Sequence, residues 1–279
     1  MIDLHCHLLP GVDDGATDMA AALEMARVAL DDGVSATACT PHIYPGLYQN
    51  SATSIRAAVN QLRDALAAAG LNLEIREGAE IHLAPELITR LRQQAYPTIE
   101  KSRYFLLELP YHTAPVRFIQ TVGDCLELGY VPIIAHPERL GWLGDGNYEW
   151  LVQAVRAGAW LQVTATSLTG QFGCTARCWA ERLLDEGLVH MIASDGHDAQ
   201  HRPPLVSAGR GAAARWVGEE EAGRLVFERP AAVLADREPS RVAPPPGVAV
   251  TDGATLPARH PPDQLGWVSR LLDTTQRRF

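Results

Sequence analysis

What most constrains this chain is a repeated alternation. Short runs of strand character (IDLHCH, ATACTPH, LEIREGAEI, YFLLELP, VPIIAHPE, WLQVTATS and VHMIASDGH) are separated by longer runs of helix character. Seven strand-type runs spaced in this way call for parallel strands joined by helical crossovers, since a tight turn cannot close a parallel pair. Val131, Ile133 and Ile134 give one run an apolar interior suited to burial on both faces. The expected architecture is an α/β fold built on a parallel barrel. In TDMAAALEMARVALDDG, Thr17 is the expected helix cap, Leu23, Ala26 and Leu30 recur at helical spacing, and Gly33 is the expected stop. AVNQLRDALAAAG repeats the pattern up to Gly70.

After about residue 235 the sequence turns to EPSRVAPPPGVAVTDGATLPARHPP, where prolines remove backbone donors and apolar residues are sparse. The expected organisation is one catalytic domain over residues 1–235, then a Pro-rich tail over 236–279. Within that tail Leu265, Val268, Leu271 and Leu272 fall near one face of a terminal helix that either docks or lies on the surface.

A formal net charge of -9 gives no electrostatic case for nucleic acid or an anionic membrane as partner. No basic stretch leads an apolar run at the N-terminus, and no segment nears the roughly 20 apolar residues that cross a bilayer. A cytoplasmic protein without membrane insertion is expected. Cys6, Cys39, Cys125, Cys174 and Cys178 form no CxxC pair, and their odd number argues against a disulfide framework. They are expected to be buried small hydrophobes, Cys174 and Cys178 on a shared helix face included.

Nearly every predicted strand ends on a residue able to hold a metal ion. The first carries His5 and His7, whose side chains share a face because strand side chains alternate; Cys6 points the other way. The next end on His42, Glu80, Glu108 and His136, and the last on Asp195 and His197, while Asp14 lies on the loop after the first. In a parallel barrel all strand C-termini share one rim, so these nine residues should converge. Each alone has an ordinary explanation: a histidine hydrogen bond, a helix cap, a turn aspartate. Together they are costly to bury unless a cation pairs with them. Imidazole and carboxylate donors without thiolate suit Mn, Zn or Fe, the carboxylate share favouring Mn or Fe, and nine donors exceed the needs of one ion. Two or three divalent ions are the expected count.

These segments, DLHCHLLPGVDDG, TPHIYPGLY, GAEIH, YFLLELP, AHPER and ASDGH followed by RPP, resemble the polymerase-and-histidinol-phosphatase (PHP) superfamily. More narrowly, they are similar to its bacterial manganese-dependent tyrosine-protein phosphatases of capsule and exopolysaccharide biosynthesis. The likeness runs in motif order through about residues 1–235. It implies a distorted seven-stranded parallel (β/α)7 barrel, TIM-barrel-like, with a trinuclear centre. His5, His7, Glu80 and Asp195 would hold one ion, Glu80, Glu108 and His136 a second, and Asp14, His42 and His197 a third. It also implies that Arg139 and Arg202 clamp phosphate oxygens, a role suited to the guanidinium fork. The implied reaction is phosphotyrosine hydrolysis with a metal-bound hydroxide as nucleophile, on a phosphotyrosine protein such as a membrane-associated bacterial tyrosine kinase. Another PHP phosphoesterase, a histidinol phosphatase or nucleotide phosphodiesterase, is the alternative, and a non-catalytic metal-binding module a more distant one. No cysteine leads an arginine-ending phosphate loop, so thiol chemistry is not expected. Tyr44, Tyr48, Tyr111 and His112 fall on rim loops as candidate substrate contacts.

Overall fold

The computed structural model describes residues 1–248. Its strands are β1 (Ile2–Cys6), β2 (Ala36–Cys39), β3 (His42–Tyr44), β4 (Tyr48–Gln49), β5 (Glu74–Glu77), β6 (Glu80–His82), β7 (Tyr104–Glu108), β8 (Val131–Ala135), β9 (Trp160–Thr164) and β10 (Met191–Ala193). Its helices are α1 (Met19–Asp31), α2 (Ala52–Ala68), α3 (Leu87–Arg92), α4 (Phe118–Glu127), α5 (Tyr148–Ala157), α6 (Ala165–Leu168), α7 (Gly173–Asp185), α8 (Ser207–Val217), α9 (Glu219–Gly223) and α10 (Arg229–Leu234).

All seven predicted runs contain strands, yet the described residues hold ten strands in two sheets rather than seven in one. The three-stranded sheet runs β1-β2-β5 and the seven-stranded sheet β10-β9-β8-β7-β6-β3-β4, parallel throughout except for the β3–β4 hairpin. Two short links, β2 into β3 and β5 into β6, pass directly from one sheet to the other, and the path from β4 through α2 to β5 returns between them. Pro41, which has no N–H to donate, sits at the first crossing and Gly78 at the second. Beyond β10, Cys6 bridges Gly196 in parallel, Asp195 N donates to His5 O (2.8 Å) and His7 N to Gly196 O (2.9 Å). The last predicted run thus comes back beside the first.

Strand alternation divides the interior. Tyr104, Leu106, Ile133, Trp160 and Met191 pack with Leu4 and Ala38 into a small core, capped by Ala232, Val233 and Val242. Phe105, Leu107, Ile134, Leu161, Val163 and Ile192 face the helices in a larger one. On the face of Leu106 the next residue but one is Glu108, and on that of Trp160 it is Gln162, so the strand face that closes the core continues into polar groups.

Asp18, not Thr17, caps α1: its side chain accepts from Ala21 N (2.9 Å). Gly33 and Gly70 end their helices at φ +86° and +67°. Cys174 is exposed on α7, unlike Cys178 and the other three cysteines, so it is not the buried residue expected. The Pro-rich segment does not leave the body at residue 236. Tyr104 Oη donates to Arg237 O (2.8 Å), Arg103 pairs with Asp236 (3.0 Å), and Gly247 N donates to Gly187 O (2.9 Å). The terminal helix expected around Leu265–Leu272 lies outside the described residues.

Below the small core, buried Arg229 bonds Ala243 O through Nε (2.8 Å) and pairs with Glu221 (2.7 Å). His190 stacks on Trp160, and its Nδ1 accepts from Leu161 N (3.2 Å), which only a ring unprotonated at that nitrogen can do. Burial first, and then the Arg229 guanidinium, hold the pKa of His190 well below 6.5. Unfolding frees the ring to take up a proton below about pH 6.5, so stability held above that pH is lost as pH falls. We expect His190→Gln to flatten the acid-side decline of unfolding free energy by up to about 1.4 kcal/mol per pH unit. Urea titrations at a series of pH values check this; an unchanged slope contradicts it.

Candidate metal centre

The site begins with β1. Period-two alternation puts His5 and His7 on one face, their Nε2 atoms 3.2 Å apart, while buried Cys6 turns its Sγ toward Gly196 O (3.5 Å). Each ring is anchored from behind. His5 Nδ1 meets Gln162 Oε1 (2.8 Å) and His7 Nδ1 meets Asp13 Oδ2 (2.7 Å), so both Nε2 atoms face the same space. Asp13 also accepts from His42 N (3.0 Å) and Gly15 N (3.0 Å), fixing the loop. Residue 15 must be glycine: a Cβ there would lie 2.2 Å from His7 O and 2.4 Å from His7 Cβ.

Glu80 occupies the middle, fully buried. Its Oε1 lies 2.7 Å from His136 Nε2, and its Oε2 lies 3.2 Å from His5 Nε2, 3.3 Å from His7 Nε2 and 3.2 Å from His42 Nδ1. Asp195 Oδ1 faces His5 Nε2 (3.4 Å), His7 Nε2 (3.5 Å) and His197 Nδ1 (3.6 Å). Glu108 Oε2 lies 3.7 Å from His42 Nδ1 and accepts from His82 Nδ1 (3.0 Å). Asp14 Oδ1, on an exposed side chain, lies 3.5 Å from His42 Nε2 and 3.6 Å from His197 Nε2. All nine predicted residues therefore come together. His136 and Asp195 sit at φ +34° and +52°, a backbone region that non-glycine residues seldom adopt and that recurs where a side chain must be aimed.

Donor atoms within 4.8 Å of one another fall into four overlapping groups: His7, Asp14, His42 and His197; His5, His7 and Glu80; His5, His136 and Asp195; His42, Glu80 and Glu108. This grouping differs from the three sets implied by resemblance, which share Glu80 alone. His7 is shared between two groups, and Glu108 gathers with His42 instead of His136. The nine form one continuous nest.

The nest suits divalent cations. Glu80 Oε2 and His42 Nδ1 are buried and make no hydrogen bond, although each has the other within 3.2 Å. Burial alone would raise the pKa of Glu80, but the surrounding His5, His42 and His136 hold it well below the usual carboxylate range. Asp195 behaves alike: burial is outweighed by Arg139, His5, His7 and Arg202. Burial, reinforced by neighbouring His7, pushes His197 down to about 2, leaving its imidazole neutral and able to donate a lone pair. Burial alone would lower His5 and His7, but Glu80, Asp195 and, for His7, Asp13 hold both above the ordinary imidazole range, so a cation bound there displaces their protons. Imidazole nitrogen and carboxylate oxygen make a hard-to-borderline donor set.

Arg139 and Arg202 reach the rim and share one acceptor, Asp195 Oδ2, at 2.5 Å from Arg139 Nη1 and 2.8 Å from Arg202 Nη2. Beside the nest Tyr44 stacks on His82 at 3.9 Å and Tyr48 on His42 at 5.5 Å; exposed Tyr111 meets His112 edge-on, and Tyr111 O accepts from Gly141 N. Sequence reasoning did not single out Asp13, Gln162, His82 or Phe172. His82 was within reach, two residues from Glu80 on the same strand face, and Gln162 interrupts an apolar strand. Asp13 and Asp14 are indistinguishable without the loop geometry, and nothing local marks Phe172.

The family described as capsular polysaccharide synthesis, CpsB/CapC, matches residues 1–235. The chain is 37% identical to tyrosine-protein phosphatase YwqE of Bacillus subtilis over 202 residues, 72% of this chain and 79% of that protein. It is 27% identical to tyrosine-protein phosphatase CpsB of Streptococcus pneumoniae over 242 residues, 85% of this chain and 99% of that protein. A crystal structure from work on YwqE and CpsB, described there as unique metal-dependent tyrosine phosphatases, superposes with a TM-score of 0.81 at 33% identity, covering 85% of this chain and 96% of that one. The lactonase Lmo2620 from Listeria monocytogenes, at 12% identity and a TM-score of 0.50 over 85% of this chain and 95% of its own, shares the fold alone.

Asp13 touches no other donor group of the nest except through His7 Nδ1 and the loop that carries His42. Asp13→Ala is expected to weaken divalent-cation affinity by about 10- to 100-fold, because the imidazole loses its orienting partner. Calorimetric titration of the metal-free protein with Mn checks it; unchanged affinity contradicts it.

Proposed function

The chain belongs to the capsular polysaccharide synthesis CpsB/CapC family, and on that premise we propose that it is a metal-dependent protein-tyrosine phosphatase. His5, His7, Asp14, His42, Glu80, Glu108, His136, Asp195 and His197 are its metal ligands. The observation that carries the reading is the junction at Asp195: one carboxylate oxygen faces the imidazole nest, the other two arginines at its rim. A structural metal site has no use for such an anion-binding pair.

Two or three divalent ions, Mn by preference for the nitrogen and carboxylate oxygen donors, supply Lewis acidity and a nucleophile at neutral pH by lowering the pKa of water. The protein's own groups do the rest. His5 and His7 are held with Nε2 inward by Gln162 and Asp13, so the ligand set is preorganised. Arg139 and Arg202 bind phosphoryl oxygens and offset charge there, their forked N–H groups replacing the contact to Asp195 Oδ2. A tyrosyl leaving group, a phenol of pKa about 10, departs more readily than an alkyl alcohol. Tyr44, Tyr48, Tyr111 and His112 contact the peptide around the phosphotyrosine.

The two sheets are read together as one distorted, largely parallel barrel, supported by the paths that cross between them and the Cys6–Gly196 bridge. The substrate is a phosphotyrosine protein, a membrane-associated bacterial tyrosine kinase controlling capsule or exopolysaccharide synthesis, reached from the cytoplasmic side. Among the described residues no helix is long and apolar enough to cross a membrane.

Removing metal with a chelator is expected to abolish hydrolysis of an aryl phosphate, and added Mn to restore it. Alkylation of exposed Cys174 should leave the rate unchanged; the other cysteines are buried, and burial pushes the Cys125 thiol up to about 12. Full activity in the metal-free protein, or loss on alkylation, contradicts the proposal. On the metal-loaded protein a phosphotyrosine peptide should turn over faster than histidinol phosphate or a dinucleotide. The reverse order would assign it to another phosphoesterase class.

A further inference from the structure

Phe172 stands against both arginines of the rim. Its ring centroid lies 4.6 Å from Arg139 Cζ and 5.7 Å from Arg202 Cζ, within the roughly 6 Å over which a ring face attracts a guanidinium. Three loops meet there: the turn Pro137–Arg139 after β8, the α6–α7 connection that carries Phe172, and the loop that carries Arg202.

The α6–α7 connection is shaped to present this ring. Gly170 and Gly173 flank it at φ +92° and +85°, and Gln171 N and Gly173 N close turns onto Thr166 O (3.0 Å) and Gly170 O (3.0 Å). The Gln171 side-chain amide donates to His201 O, tying the connection to the residue before Arg202. Phe172 is only half buried and belongs to neither apolar core, so core packing does not account for it. The arginines need such a restraint. Each meets the Asp195 carboxylate through a single nitrogen, their like charges oppose close approach, and buried Arg202 Nε has no hydrogen-bond partner.

We propose that Phe172 is a positioning residue for phosphoryl recognition, its ring holding the two guanidiniums side by side so that they meet one oxyanion together. This rests on the phosphatase reading above. The ring acts through Arg139 and Arg202 and need not touch substrate itself. Its effect falls on anion binding, leaving the metal nest unchanged.

The test compares Phe172→Leu, which keeps apolar bulk and removes the ring, with Phe172→Tyr, which keeps the ring face. Calorimetry on the Mn-loaded full chain measures orthophosphate affinity, alongside kinetics with 4-nitrophenyl phosphate, bound Mn and melting temperature. Phe172→Leu should raise the orthophosphate Kd and the KM by about tenfold with kcat within about threefold, and Phe172→Tyr should bring both back to within about twofold of the parent. Bound Mn should be the same in all three. Unchanged orthophosphate affinity in Phe172→Leu overturns the proposal, as does equal weakening by Leu and Tyr, which marks a packing role. Orthophosphate binding is read separately from turnover. A parent protein that binds orthophosphate in a Phe172-dependent way yet hydrolyses no aryl phosphate would therefore sink the phosphatase reading and leave Phe172 standing.

Discussion

A carboxylate with no access to water governs this structure. Glu80 is fully buried and ringed by His5, His7, His42 and His136 at 2.7 to 3.3 Å. Isolated, such a charge would cost several kcal/mol to bury and would be neutralised instead. The imidazoles keep it ionised, but nitrogens and oxygens this close, several without hydrogen-bond geometry, are arranged for a cation rather than for one another. Much else follows from supplying them. Three strand or strand-end segments deliver the rings, and the loop of Asp13 and Gly15 closes tightly on His7 to hold one of them.

The same strand faces serve stability and chemistry in succession. On β7 Leu106 belongs to the small core and Glu108 to the nest; on β9 Trp160 closes the core and Gln162 orients His5. A substitution that slips either strand by one residue would turn core and site residues outward together. Function here is coupled to register as well as to individual side chains. The opposite end is closed by α10, Arg229 and the segment through Gly247, which anchor the strand starts away from the nest.

How much of this was legible in the sequence depends on what each feature rests upon. Convergence of the nine donors was legible because parallel strands bring their C-termini to one rim, although His42 and Glu80 open β3 and β6 where the sequence suggested the ends of longer strands. Splitting of two runs was not foreseen, since a run such as LEIREGAEI shows continuous strand character and the crossing at Gly78 depends on how two sheets meet. Asp13 against Asp14, and Asp18 against Thr17, are choices between neighbours that only loop closure settles. Residues 236–248 read as a tail because their prolines break strand and helix patterns, yet Arg103 and Tyr104 give them polar anchors far away in sequence. Phe172 illustrates the same limit, because its importance lies in two arginines contributed by other loops.

Asp195 joins the two halves of the site. Its Oδ1 belongs to the imidazole nest and its Oδ2 to Arg139 and Arg202, so one buried charge is balanced from both sides. On the proposed reading, a cation held by the nest would draw electron density toward Oδ1 and weaken Oδ2 as an acceptor for the arginines. An incoming oxyanion offers them a stronger partner at the same moment. The guanidiniums are therefore held in reserve by the residue whose charge a cation would claim. Their exchange from Asp195 to substrate would cost less once the nest is filled. On that reading cation and anion binding would be linked through a single carboxylate, and such a linkage is reciprocal, each favouring the other.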